Sequence, residues 1–208
     1  MKPLAAAVAG LLLAPALGAS DEAVALVRRI EAHHRAVLDL TARFTQTYRS
    51  GVLGRELVER GTLWVKRPGR MLWEYEEPEK KLFVCDGRSY YFYVPADRQV
   101  IVRDQAADRR APALLLAGEG GILDRFDATL EGASADGRRL RLTPREADPE
   151  MESVYLEVDT ASRITSIEVL DAQGNRSRFR FERIRENVGV GDERFRFKIP
   201  RGVEVVEG

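Results

Sequence analysis

From Thr41 almost to its end, the chain alternates apolar and polar residues with a period of two. Ala42, Phe44, Gln46 and Tyr48 alternate with Thr41, Arg43, Thr45 and Thr47. The same rhythm returns at Phe126, Ala128 and Leu130, at Leu140 and Leu142, at Val154, Leu156 and Val158, at Ile164, Ile167 and Val169, and at Phe179 and Phe181. Successive side chains of a strand point to opposite faces, so this period describes strands buried on one side. Turn formers separate the runs: Gly51 and Gly54, Asp86-Gly87, Gly132 with Asp136-Gly137, residues 159–162, and Gly174-Asn175. Connections this short join antiparallel neighbours. The pattern predicts one long antiparallel sheet of about ten strands, with a helix before it and a short helix within it. A sheet of that length curls into a barrel or splits into a sandwich.

Residues 61–75, GTLWVKRPGRMLWEY, are the densest part of the pattern. Two strand-like runs flank a Lys-Arg-Pro-Gly corner. Leu63, Val65 and Arg67 share one side of the first run; Met71, Trp73 and Tyr75 share one side of the second. Pro68 has no N–H to give to a ladder and belongs at a strand end, and Gly69 lets the backbone turn there. The corner therefore sets a cation, Arg67, at the rim of a large apolar surface. Further strands follow over residues 82–85, 90–94 and 100–102. Near the end, Phe195 and Phe197 alternate with Arg194, Arg196 and Lys198, which predicts another half-buried strand.

Ahead of the sheet, Ser20, Asp21 and Glu22 open a helix with a capping residue and first-turn acids. Val24, Val27, Ile30, Val37 and Leu38 form its apolar stripe. His33 and His34 lie in this helix. Adjacent residues face different ways, and no ligand spacing accompanies them, so a solvated or half-buried role is expected rather than a metal site. Within the sheet region, residues 111–117 (APALLLA) are good helix formers followed by Gly118, Gly120 and Gly121. A helix this short must dock on something apolar. The single cysteine, Cys85, has no internal disulfide partner and reads as a small buried hydrophobe.

Lysine plus arginine balance aspartate plus glutamate at 33 each, so no polyanionic partner is implied. Arg176, Arg178 and Arg180 alternate with phenylalanines and describe the wet face of a sheet rather than a nucleic-acid surface. No G-x-S-x-G elbow, triad or metal cage occurs, and Gly118-Glu119-Gly120-Gly121 lacks the lysine of a phosphate loop. Glu74, Glu76, Glu77 and Glu79 read as a solvated strand edge. Binding therefore leads catalysis, with no catalytic residue, cofactor or metal expected. The concave face of a curled sheet is either filled core or an apolar pocket, and periodicity does not distinguish them. Lys2, the uncharged run over residues 4–17 and the small residues Gly18, Ala19 and Ser20 form a secretory-signal pattern. The run is shorter than the ~20 residues that span a bilayer. Residues 1–19 are thus expected to be a cleaved signal and residues 20–208 one domain. No cysteine follows the run to carry a lipid.

Several motifs in order are similar to the LolA family of periplasmic lipoprotein carriers. They are Phe44-Thr45-Gln46, then Leu63-Trp64-Val65-Lys66-Arg67-Pro68 with Trp73, then Val84-Cys85-Asp86-Gly87 with the aromatic run from Tyr90 to Tyr93. The ending with Phe195-Arg196-Phe197, Pro200, Gly202 and Val203 completes the set. The resemblance implies a mainly β (α+β) fold: a single incomplete antiparallel β-barrel of about ten to eleven strands, with an N-terminal helix and a short lid helix covering an apolar cavity. Under it, Leu63, Val65, Met71, Trp73, Leu82 and Val84 line the acyl-chain cavity. Leu114, Leu115 and Leu116 form the underside of the lid, and Arg67 is a latch bonded to lid backbone in the closed state. The family can have an aromatic residue where Met71 stands; methionine is apolar and adaptable enough for the role. The implied protein is a periplasmic monomer. It takes acylated lipoproteins from an inner-membrane ABC transporter and delivers them to the outer-membrane receptor lipoprotein LolB. Two alternatives share the fold: a sensor or structural module of the envelope, and a paralogue carrying another acylated lipid.

Overall fold

The structure, a computed structural model, describes residues 19–104, 115–116, 121–134 and 137–207. Helix α1 (Ala19–Ala36) is followed by β1 (Asp39–Arg49), β2 (Glu56–Lys66), β3 (Arg70–Glu77), β4 (Lys81–Asp86), β5 (Ser89–Val94) and β6 (Gln99–Asp104). Then come the one-turn helix α2 (Ile122–Arg125), β7 (Phe126–Ser134), β8 (Gly137–Pro144), β9 (Ser153–Asp159), β10 (Ile164–Leu170) and β11 (Arg176–Glu186). A 3-10 turn (Asp192–Phe195) and β12 (Glu204–Glu207) end the described chain.

The strands form one twelve-stranded sheet in the order β12-β6-β5-β4-β3-β2-β1-β11-β10-β9-β8-β7. Every pairing is antiparallel except the parallel β12–β6 pair at one edge. Among the described residues the sheet does not close, and β7 and β12 are its edges. The hairpin between β4 and β5 shows how local chemistry sets the turns. Gly87 has φ of +98°, and the Asp86 carboxylate accepts the Arg88 and Ser89 N–H groups at 2.9 Å each. A register shift in β10 between Ile164 and Ser166 explains why its apolar residues step by three before resuming the step of two.

Three spacings, about 14 Å when flat, separate β3 from β11, yet the ring centroids of Trp73 on β3 and Phe179 on β11 lie 5.2 Å apart on one face. The sheet therefore curls, and α1 lies on the concave side with Ala23, Leu26, Val27 and Ile30 in one buried cluster with both rings. The helical stripe differs from the expected one. Ala23 and Leu26 are buried, Val24 is half-buried, and Leu38 lies beyond the helix end, 68% exposed. Three polar ties fix the helix: Glu22 to Arg138 at 2.6 Å, Glu31 accepting the Ile122 N–H at 2.6 Å, and His33 to Glu186 at 2.8 Å.

A second, smaller cluster lies on the convex face: Leu72, Val84, Val190 and Phe195, with Trp64, Leu82, Tyr91 and Phe197 against it. Residues 194–198 are thus not the strand that their alternation predicts. The segment after β11 crosses the back of the sheet instead, because Leu72 and Val84 would otherwise meet water. Phe195 is buried there, and Phe197 stacks 5.3 Å from Tyr91 and 5.5 Å from Tyr93. Asp192 anchors the strap to Lys66 and Arg70, and the Arg194 guanidinium sits 4.6 Å from the Trp64 ring centroid. At its start, Asp39 accepts the Val188 and Gly189 N–H groups at 2.8 and 3.1 Å.

Candidate functional site

Directly paired residues of antiparallel strands project from the same face, so the register identifies the lining of the concave side. Ala42 pairs Leu63, Leu63 pairs Trp73, and Trp73 pairs Phe83. One step along, Leu40 pairs Val65, Val65 pairs Met71, and Met71 pairs Cys85. Leu63, Val65, Met71 and Trp73 therefore stand together on the concave face, all buried. Leu82 and Val84 do not join them. Their partners are Glu74 and Leu72, and both project to the convex face under the C-terminal strap. The concave residues of β4 are Phe83 and Cys85. All four residues from Leu82 to Cys85 are apolar because this strand is covered on both sides, which erases the alternation that would reveal its facing.

Aromatic residues fill the middle of the concave face. Trp73 meets Phe44 edge-on at 5.1 Å and Phe179 at 5.2 Å, and Phe44 meets Tyr75 at 4.9 Å. Gly61 makes this possible: it pairs with Phe44, and a Cβ there would lie 2.7 Å from the Phe44 ring. Toward the far end of β1 the lining becomes polar. Tyr75 Oη donates to Gln46 at 2.8 Å, Gln46 donates to Ser177 at 3.0 Å, and the buried Glu59 pairs with Lys81.

The apolar end is roofed. The face of α1, Ile122 of α2, and Leu115 and Leu116 complete the buried cluster. Leu115 and Leu116 are helical and buried. Leu114 and the rest of the lid helix expected over residues 111–117 lie outside the described residues. Two side chains reach the roof's backbone. Arg67 Nη2 donates to the Leu116 carbonyl at 3.4 Å, and the His34 ring, on α1, faces the Leu115 carbonyl. Arg67 is held over the roof by its own backbone N–H, which donates to Leu38 at 2.9 Å just before β1. Beneath the corner, Cys85 Sγ donates to the Gly69 carbonyl at 2.8 Å.

His34 is a further residue that sequence reasoning misplaced. It is buried rather than solvated or half-buried, and it faces the roof at the position where the α1 stripe would continue, one turn after Ile30. Burial, then the Arg67 guanidinium, then His33 push its pKa down to about 4, opposed by the bond to Leu115. It is therefore neutral near pH 7. Burial also lowers the Arg67 pKa from its ordinary value, yet a guanidinium stays protonated. Among the described residues, no three His, Cys, Asp or Glu side chains are grouped to share a metal ion.

The family described as outer membrane lipoprotein carrier protein LolA matches residues 35–198. A protein of Chromohalobacter salexigens named outer-membrane lipoprotein carrier protein is 32% identical over 179 residues, covering 86% of this chain and 85% of its own. One of the same name from Chromobacterium violaceum is 31% identical over 209 residues and all of both chains. Another, from Alkalilimnicola ehrlichii, is 34% identical over 173 residues, 82% of this chain and 78% of its own. Among solved structures, an uncharacterised conserved protein from Thermus thermophilus shares the fold with a TM-score of 0.57 at 16% identity, covering 90% of this chain and 99% of that one. The matched span takes in the corner, the concave strands and most of the convex strap, and the chain belongs to the LolA family of outer-membrane lipoprotein carrier proteins.

Proposed function

We propose that the protein carries the acyl chains of lipoproteins across the periplasm on the concave face of its sheet. The observation that supports this best is a large apolar face whose roof is bonded to Arg67 through the Leu116 carbonyl, with the buried His34 against Leu115. Each buried methylene contributes ~0.8 kcal/mol, so one acyl chain leaving water gains on the order of 10 kcal/mol. A lipoprotein therefore needs an apolar shelter to leave one membrane for another. On this reading, Leu63, Val65, Met71 and Trp73 contact the chains once the roof is lifted. Acyl methylenes then replace Leu115, Leu116 and the α1 face in contact with the sheet. That exchange of apolar for apolar surface is nearly even, so the polar bonds of the closed roof tip the balance. Arg67 favours closure and hence release of cargo.

Membership of the carrier family supports the same reading. Among the described residues, no helix is long and apolar enough to cross a membrane. The proposal includes export directed by residues 1–19, cargo received from an inner-membrane ABC transporter, and delivery to the outer-membrane receptor lipoprotein LolB. The protein acts by binding alone, with no catalytic step. Depletion tests it: lipoproteins accumulate in the inner membrane if the protein is the carrier, whereas unchanged sorting overturns the proposal. Purification from periplasm followed by lipid and protein identification reports the cargo, and mass spectrometry of the mature N-terminus reports the cleavage.

A further inference from the structure

The hairpin joining β1 to β2 ends in an apolar tip that the acyl-binding reading does not use. Val52 is 82% exposed and Leu53 69% exposed, and behind them Leu57 is 47% and Tyr48 38% exposed. The tip is a built structure. The Ser50 N–H donates to the Arg55 carbonyl and the Gly54 N–H to the Ser50 carbonyl, each at 3.0 Å. Ser50 Oγ accepts the Leu53 N–H at 3.1 Å. The β10–β11 turn braces it from the side. Asn175 Oδ1 accepts the Gly51 N–H at 3.0 Å, and a Cβ on Gly51 would strike the Gly174 carbonyl at 2.6 Å. Two aliphatic side chains are thus held outward at fixed positions.

Cations surround them. Arg49 and Arg55 are exposed, and Arg176 stands opposite Arg49 in the register. Arg49 and Arg55 have no carboxylate within ion-pair distance among the described residues, whereas Arg176 is paired with Glu168 at 2.7 Å. The nearby acids are Glu56, directly across from Arg49, and Asp171, whose carboxylate is occupied by Gln173 and Asn175.

We infer that this tip is a contact site for an anionic phospholipid membrane surface. Val52 and Leu53 enter the headgroup–acyl boundary while Arg49 and Arg55 meet phosphates. Apolar residues at a protruding tip, ringed by arginines, are what interfacial binding uses. The exposed apolar area is small for a stable protein partner, which needs ~800 Å² per side. β1 is an 11-residue strand with the roof at its start and the tip at its end, so the two lie roughly 35 Å apart. The carrier would touch a membrane with one end and leave its roof free. Two apolar residues and two cations give a weak, salt-sensitive contact, which suits a protein that must leave again.

The test is flotation of the mature protein with vesicles of phosphatidylethanolamine and phosphatidylglycerol, against vesicles of phosphatidylcholine alone. Binding to the anionic vesicles, reduced roughly tenfold by the V52S/L53S double variant and again by R49Q/R55Q or high salt, is the expected result. A second reading comes from Leu53→Trp, whose fluorescence should shift to the blue with anionic vesicles only. The inference is overturned by no flotation, by equal binding to both vesicle types, by full binding of V52S/L53S, or by a partner protein that requires these residues. None of these outcomes bears on acyl loading, which is scored separately by lipoprotein release with the same variants.

Discussion

Replacing Arg67 by leucine separates loading from delivery. The guanidinium is half-buried and donates to the Leu116 carbonyl at 3.4 Å. A charge-assisted bond contributes about 1.5–3 kcal/mol, and one this long belongs at the lower end, ~1.5 kcal/mol. Leucine fills part of the same space with no charge to strand, so the loss falls on the closed roof rather than on the sheet. Since ~1.4 kcal/mol is a factor of ten, the open population of the unloaded protein should rise about tenfold. In the proposed cycle the loaded state lacks this bond, so cargo should be held about tenfold more firmly and passed on correspondingly more slowly. Two assays check it. Binding of an environment-sensitive apolar dye reports opening in the absence of cargo. Transfer of a labelled lipoprotein to the receptor, measured apart from loading, reports release. Wild-type dye binding together with a wild-type transfer rate for Arg67→Leu would refute the latch and leave the roof held by Leu115 and Leu116 packing alone.

The remaining predictions follow from burial and pairing. His34 has a folded-state pKa of about 4 against about 6.5 unfolded, so the unfolded chain binds more protons between those values. Stability should therefore fall as pH drops from about 6.5 to about 4, by roughly 3 kcal/mol; denaturant titrations should show this slope flattened in His34→Gln. Trp73→Ala should lower stability by about 3–5 kcal/mol, because the ring packs between Phe44 and Phe179; a folded variant with unchanged unfolding midpoint would contradict that packing. The same packing means that Trp73→Glu should unfold the protein rather than leave a folded, binding-dead chain, a result circular dichroism distinguishes. Asp39→Ala should cost about 1.5–3 kcal/mol by removing the carboxylate that accepts the Val188 and Gly189 N–H groups. It should also speed proteolysis of the convex strap; equal cleavage rates would show that Phe195 packing alone holds it.

Local chemistry written into the sequence determined the elements and much of the concave face. Alternation marked most of the strands, and Asp86-Gly87 and the Pro68-Gly69 corner marked their turns, because a strand's facing and a tight turn depend only on neighbouring residues. The step of two within residues 61–75 was enough to bring Leu63, Val65, Met71 and Trp73 to one face and Arg67 to its rim. Tertiary structure decided what alternation does not encode. Leu82 and Val84 lie in an unbroken apolar run, and only their pairing with Glu74 and Leu72 shows that they face the strap. Phe195 and Phe197 alternate like a strand, yet the uncovered back of β3 and β4 draws them across the sheet, since apolar surface of that size does not remain in water. His34 reads as one more polar residue on a helix until the curl of the sheet brings the roof carbonyls and Arg67 against it. Each of these outcomes depends on which distant surface arrives to cover a side chain, and that is fixed by the whole chain's burial rather than by any local run.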